Sequence, residues 1–95
     1  MFLRRRPAID VTLYGRPGCH LCEDAGRLLR RLRRRYNLHI TDVDISGDPD
    51  LVRRYDIVIP VIRAGAEEIS APIREQDVRD LLERAVSSRP PEPSA

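Results

Sequence analysis

Apolar and polar positions alternate along Ile9-Asp10-Val11-Thr12-Leu13-Tyr14, and Ile9, Val11 and Thr12 are β-branched, so this stretch predicts a strand. Gly15-Arg16-Pro17-Gly18 holds two glycines and a proline in four positions and predicts a turn. From Cys19 the period changes. Leu21, Cys22, Ala25, Leu28, Leu29, Leu32 and Tyr36 recur mostly at spacings of three and four, which is the apolar stripe of a helix, with Asn37 as its stop. Leu38 to Ile45 predicts a second strand. Its alternation slips phase between Ile40 and Val43, so a bulge or an early end is expected there.

Ser46-Gly47-Asp48-Pro49 turns the chain, and Asp48 is placed to cap a short helix that has Pro49 at its first position and runs to about Tyr55. Ile57-Val58-Ile59-Pro60-Val61-Ile62 is an unbroken apolar run, expected as a strand buried on both faces, although its proline removes one ladder hydrogen bond. After a turn at Gly65, Glu67-Glu68-Ile69 is long enough only for an edge strand. Glu75 to Val86 carries Val78, Leu81, Leu82, Ala85 and Val86 on one face and predicts the last helix. The order is β-α-β-α-β-β-α. Strands separated by helices imply a parallel pair with a right-handed crossover, and the closing β-β pair an antiparallel hairpin. The fold class is therefore α/β, a four-stranded mixed sheet flanked by helices. It occupies residues 9–86, between a basic N-terminal arm at 1–8 and a Pro- and Ser-containing tail at 87–95 expected to be disordered.

Composition changes this picture little. A chain of 95 residues is one small domain, and with four aromatic residues its core must rest on Leu, Ile and Val. No apolar run approaches the ~20 residues of a membrane span. No apolar segment follows the basic start, as a secretory signal would require, so a cytoplasmic location is the expectation. All 17 basic residues are Arg, and the net charge is only +2. We read the arginine run from Arg30 to Arg35 as a solvated helix face that complements the helix dipole, rather than as a nucleic-acid surface. The carboxylates of Asp42 and Asp44 are read as a strand edge entering a turn, not as a metal pair. Gly26 in mid-helix costs ~1 kcal/mol relative to Ala, and close packing is its expected reason.

The two cysteines, Cys19 and Cys22, lie three positions apart. A structural disulfide closing so small a loop stabilises little, so the pair calls for reactivity or metal. Cys19 stands where the turn ends and the helix begins, and a helix N-terminus favours thiolate. Arg16 adds a positive charge upstream. Cys22, one helical turn later on the apolar stripe, should be the more buried. That asymmetry suits thiol–disulfide exchange, with Cys19 attacking and Cys22 resolving the mixed disulfide. His20 and Leu21, between them, would tune the potential, and a protonated His20 would favour thiolate. Zinc is the competing chemistry, but only His20, His39 and carboxylates could complete four ligands. A domain that holds a metal or a partner through the cysteine pair, with little turnover, is the alternative function.

The segment Leu13-Tyr14-Gly15-Arg16-Pro17-Gly18-Cys19-His20-Leu21-Cys22, set between a strand and an apolar-striped helix, resembles the glutaredoxins of the thioredoxin-like superfamily, most of all the small glutaredoxin-like proteins of bacteria. Arg16 and Pro17 match a basic residue and a proline of that family, and Val58-Ile59-Pro60 resembles its cis-proline segment. The resemblance implies a thiol–disulfide oxidoreductase with Cys19 and Cys22 catalytic. Arg16, Pro17, Gly18, His20 and Leu21 would support them, while Val58, Ile59 and Pro60 would bind substrate, with Ile59, before the proline, facing the pair and offering its backbone. It implies no metal and no resident cofactor, with glutathione as a conceivable co-substrate. Substrates would be protein or low-molecular-weight disulfides, and the chain a monomer. The family carries Pro-Tyr between the cysteines and a Gly-Gly pair with an acidic residue after the hairpin. Here stand His20-Leu21 and Ser70-Ala71-Pro72, which leaves the reductant open between glutathione and a thioredoxin-type donor. Leu13 occupies the place of the buried acid of thioredoxins, against a proton relay of that type.

Overall fold

The computed structural model describes residues 8–87. The basic arm up to residue 7 and the tail from residue 88 lie outside the described residues. The elements run β1 (Ile9–Gly15), α1 (His20–Leu32), β2 (Leu38–Asp44), α2 (Pro49–Tyr55), β3 (Val61–Ala64), β4 (Glu67–Ser70) and α3 (Glu75–Ser87). They build one four-stranded mixed sheet of order β2-β1-β3-β4. β1 pairs parallel with β2, and β3 is antiparallel to both β1 and β4. No helix is long and apolar enough to cross a membrane among the described residues.

Alternation along β1 sends Ile9, Val11 and Leu13 to one face, where they meet the stripes of α1 and α3. Leu29, Ile62, Val78, Leu81 and Leu82 are fully buried in this larger core. Tyr14 points to the other face and stacks on Tyr55 of α2 with ring centroids 4.5 Å apart. Ile45, Tyr55 and Val61 form a smaller second core there, flanked by half-buried Val58 and Ile59. The Tyr55 hydroxyl reaches its polar partner at the rim, donating to Glu68 at 2.6 Å.

Three expectations need correction. The first helix ends at Leu32, not at Asn37. The Arg34 N–H reaches back three residues to the Arg31 carbonyl, and Leu32 O accepts from both Arg35 and Tyr36, so the last turn tightens and stops. No bulge interrupts β2, whose register with β1 is continuous from Ile9–Leu38 to Gly15–Asp44. The phase slip has a side-chain cause: Asp42 stands in the α1-facing column because Arg30 of α1 meets it at 2.7 Å. Finally, the apolar run 57–62 is not one strand. Val58 and Ile59 both donate their N–H to the Tyr55 carbonyl, at 2.9 and 3.0 Å. They finish α2 instead of entering the sheet, and Ile57 is left 94% exposed. Pro60, with no N–H to give, precedes β3.

Candidate functional site

The dithiol segment is built by a turn. Pro17 and Gly18 fill its centre, and Gly18 has φ +78°, the left-handed value that favours glycine at the second position of a Pro-Gly turn. The chain emerges with Cys19 in an extended conformation as the N-cap of α1. Cys19 plays the part usually taken by a Ser or Asp cap, since its Sγ accepts from the Cys22 N–H at 3.2 Å while its carbonyl accepts from the Glu23 N–H at 3.0 Å. Cys19 and Cys22 are joined as a disulfide, with Cα atoms 5.2 Å apart. Cys22 is buried and Cys19 half-exposed.

Arg16 does not stand as a free charge. It is ion-paired to Asp56 at 2.8 Å, which ties the 15–18 turn to the segment leaving α2. The His20 side chain is 95% exposed, with Nδ1 3.7 Å from Glu23. Leu21 is exposed and lines a groove of about 400 Å³ together with Leu28 of α1, Pro60, Pro72 and Ile73. Leu21 and Pro60 are thus brought to one surface. The Ile59–Pro60 peptide is cis, and so is Ala71–Pro72 on the opposite wall. Of the Ile59 backbone, which the family resemblance would offer to a substrate, the N–H is already donated to the Tyr55 carbonyl, and the Val58 carbonyl accepts from the Ala71 N–H at 3.2 Å. The backbone offered by Val58 and Ile59 is therefore in part committed inside the protein.

Charged residues of the groove are matched. Arg27 pairs with Asp24, and Arg31 with Glu75 at 3.1 Å. Glu75 also meets Arg79 at 2.9 Å, and the hydrogen bond from Arg31 holds its carboxyl below the usual range. Asp44, hydrogen-bonded by Ser46, is likewise lowered as the cap of the turn that follows β2. No group of three or more His, Cys, Asp or Glu side chains is placed to hold a metal among the described residues.

Four features escaped the sequence reading: Asp56 as the partner of Arg16, the wall formed by Pro72 and Ile73, the exposed Ile57, and Gly15. Gly15 ends β1 directly against Cys22, and a Cβ built on it would lie 3.0 Å from both Cβ and Sγ of Cys22. The Ala71-Pro72 step was a visible signal for the wall. Asp56 and Gly15 act through contacts across the fold that no local pattern carries.

A four-stranded mixed sheet with a disulfide-linked Cys-x-x-Cys at the N-terminus of its first helix defines a thioredoxin-like protein. Residues 10–83 match the glutaredoxin-like domain family (DUF836), and the chain belongs to that family. It is similar to target protein XcR50 from X. campestris, at 31% identity over 78% of this chain and 96% of that one, with a TM-score of 0.68. Protein Ne2328 from Nitrosomonas europaea is similar at 26% identity over 87% and 96% of the two chains, TM-score 0.69. Thioredoxin 1 from Thermosipho africanus shares the fold at 10% identity, over 82% and 94%, TM-score 0.62. No curated protein matches the chain.

Proposed function

We propose that this protein is a thiol–disulfide oxidoreductase that acts on protein disulfides in the cytoplasm. The observation that carries the reading is the inequality of the two sulfurs. Cys19 is half-exposed and receives an N–H at a helix start, while Cys22 is buried one turn behind it. An N–H aimed at sulfur favours thiolate over thiol. The Cys19 thiolate attacks one sulfur of the substrate disulfide, and the other substrate sulfur leaves as thiolate and takes up a proton. The Cys22 thiolate then attacks Cys19 Sγ. The Cys19–Cys22 bond forms as the mixed disulfide breaks, and the second substrate thiol departs. Two electrons have passed to the substrate, and an external dithiol or two monothiols return them by the reverse exchange, leaving as a disulfide.

Exposed apolar side chains support a polypeptide substrate. Leu21 and Ile57, 59% and 94% exposed, are the exposed large hydrophobics among the described residues. Leu21 lies between the two cysteines, and Ile57 adjoins the Asp56 that holds the Arg16 turn. With the groove charges paired among themselves, an apolar residue beside the substrate cysteine suits this surface better than a charged tripeptide. Cys22→Ser is expected to accumulate a mixed disulfide with a reducible protein substrate, and Cys19→Ser to lose reducing activity. Full activity in Cys19→Ser sinks the mechanism. Titration against glutathione sorts the reductant: about −200 to −230 mV fits glutathione coupling, and about −270 mV a thioredoxin-type donor.

A further inference from the structure

We propose that Gly15 is a positioning residue for the resolving cysteine: its missing side chain is the space in which the Cys22 sulfur turns toward Cys19. The proposal rests on the dithiol reading above and adds to it a residue outside the Cys-x-x-Cys segment. Gly15 is buried at the end of β1. Its backbone does not require glycine, because the positive-φ residues among those described are Gly18 and Gly65. What requires it is the neighbour. A methyl group at this position would stand 3.0 Å from the Cβ and 3.0 Å from the Sγ of Cys22, tighter than nearly all such side-chain contacts, so Cys22 would have to give way. Other glycines do not meet this condition. An added Cβ at Gly26 would lie 3.6 Å from Leu13 Cδ2, an ordinary contact, and 3.1 Å from Nη1 at the far end of the long Arg30 side chain. No atom lies within 4 Å of one added at Gly18 or Gly47.

The two close contacts differ in kind. The one to Cys22 Cβ persists whatever the rotamer, since Cβ is fixed by the helix. The one to Sγ exists while the sulfur is turned toward Cys19, as it is in the disulfide. A free thiol at Cys22 can leave for another staggered well. A methyl at position 15 therefore burdens both redox states but burdens the disulfide more. In the resolving step the Cys22 thiolate must take up that same orientation to attack Cys19 Sγ. The Cys19–Cys22 bond then forms, the bond from Cys19 to the substrate breaks, and the substrate sulfur leaves as thiolate. The first step, attack by Cys19, needs no movement at Cys22.

Gly15→Ala is expected to make the pair more oxidising by about tenfold in its dithiol–disulfide equilibrium, or about 30 mV for this two-electron couple, the order of shift that overpacking a filled site produces. Release of the mixed disulfide should slow, while its formation, measured with Cys22→Ser in both backgrounds, stays at the parent rate. Denaturation in the two redox states supplies a readout that a merely structural glycine would not move. Equal destabilisation of the oxidised and reduced forms, or an unshifted potential, overturns the proposal. Should Gly15→Ala fail to fold, the double variant Gly15→Ala with Cys22→Gly decides. It lacks both atoms that the methyl would strike, so it should be as stable as Cys22→Gly alone, and an equal loss in that background refutes the contact. If mixed disulfide fails to accumulate with Cys22→Ser in the parent, the dithiol reading falls instead, whatever Gly15→Ala does.

Discussion

The two faces of the sheet are filled unequally, and the two halves of the site are divided between them. On one face α1 and α3 cover β1 and β3 with a core that includes Leu29, Ile62, Leu81 and Leu82, all fully buried. That core carries the helix whose start holds both cysteines. On the other face α2 covers Tyr14 and Val61 with a few residues only, and Val58 and Ile59 pack at its margin. That smaller core carries the approach to Pro60. Hydrophobic stabilisation grows with apolar area removed from water, so the face with the longer helices sets global stability. Local opening draws on the face with fewer buried contacts. The dithiol is thus seated on the half with the larger core, and Pro60, which shares a groove with Leu21, follows the segment packed on the smaller one.

The largest test attacks the larger core. Leu29→Ala should cost about 3 kcal/mol or more, the usual range for a fully buried leucine whose cavity cannot close. The loss should appear in every probe at once: urea midpoint, exchange of the β1 amides, and protection of the cysteines from alkylation in the reduced state. A smaller effect, confined to one element, would mean that the two cores do not rank as described.

Tyr55→Phe should cost about 1 kcal/mol, because it removes the hydroxyl that donates to Glu68 and leaves the ring stack on Tyr14 in place. The informative readout is amide exchange. The Val58 and Ile59 N–H groups, both bonded to the Tyr55 carbonyl, should exchange faster while the β1 amides hold their parent rates. Joint acceleration would show that the two faces open as a single unit.

The same division decided what the sequence could disclose. The dithiol turn is local: Pro17-Gly18 sets the bend, Cys19 caps the helix, and the stripe from Cys22 to Leu32 seats it, all within reach of a spacing argument. The strand and helix order was equally legible, because β1 and α3 carry unbroken periodicities. The Pro60 approach was not. Ile57-Val58-Ile59 has the composition of a buried strand, yet the Tyr55 carbonyl captures two of its N–H groups and keeps the segment out of the sheet. Hydrophobicity registers what can be buried, not which hydrogen-bond partner arrives first. Asp42 misled for a related reason: a carboxylate in a core-facing column looks like a phase error until Arg30 is seen to meet it.

Alkaline titration offers a finer separation. Burial, and then the hydrogen bond to Glu68, raises the Tyr55 phenol above its ordinary value. Burial, and then Glu83, does the same to Tyr36 against the larger core. A folded value above the unfolded one means stabilisation that is complete below about pH 10 and is lost as pH rises through the higher folded value. Each face therefore carries one phenol whose ionisation favours alkaline unfolding. Tyr55→Phe should remove one share of the pH dependence above about pH 10, and Tyr36→Phe the other. Both are read from denaturation midpoints of the oxidised protein, whose disulfide-bonded cysteines do not titrate. If Tyr55→Phe leaves the high-pH slope unchanged, the Tyr55 phenol is not held buried and bonded to Glu68 in solution.

The smallest expected effect lies on the ion pair that ties the dithiol turn to the segment leaving α2. Arg16 and Asp56, at 2.8 Å, are about half-exposed, so their coupling in a double-mutant cycle should stay below about 1 kcal/mol and shrink with added salt. Stability is the wrong place to look for its purpose. Arg16 precedes the Cys19 turn and Asp56 precedes Ile57, so the pair ties the turn that carries the attacking sulfur to the segment that carries the exposed apolar residue. Arg16→Ala and Asp56→Ala should each leave the unfolding midpoint nearly unchanged, yet slow mixed-disulfide formation with a protein substrate more than with a small aromatic disulfide. Arg16 also carries a positive charge toward the dithiol turn, so the two variants separate charge from tether. A loss shared equally by both identifies the tether, and a loss confined to Arg16→Ala identifies the charge. Equal slowing toward both substrates would break the assignment of Ile57 to substrate contact.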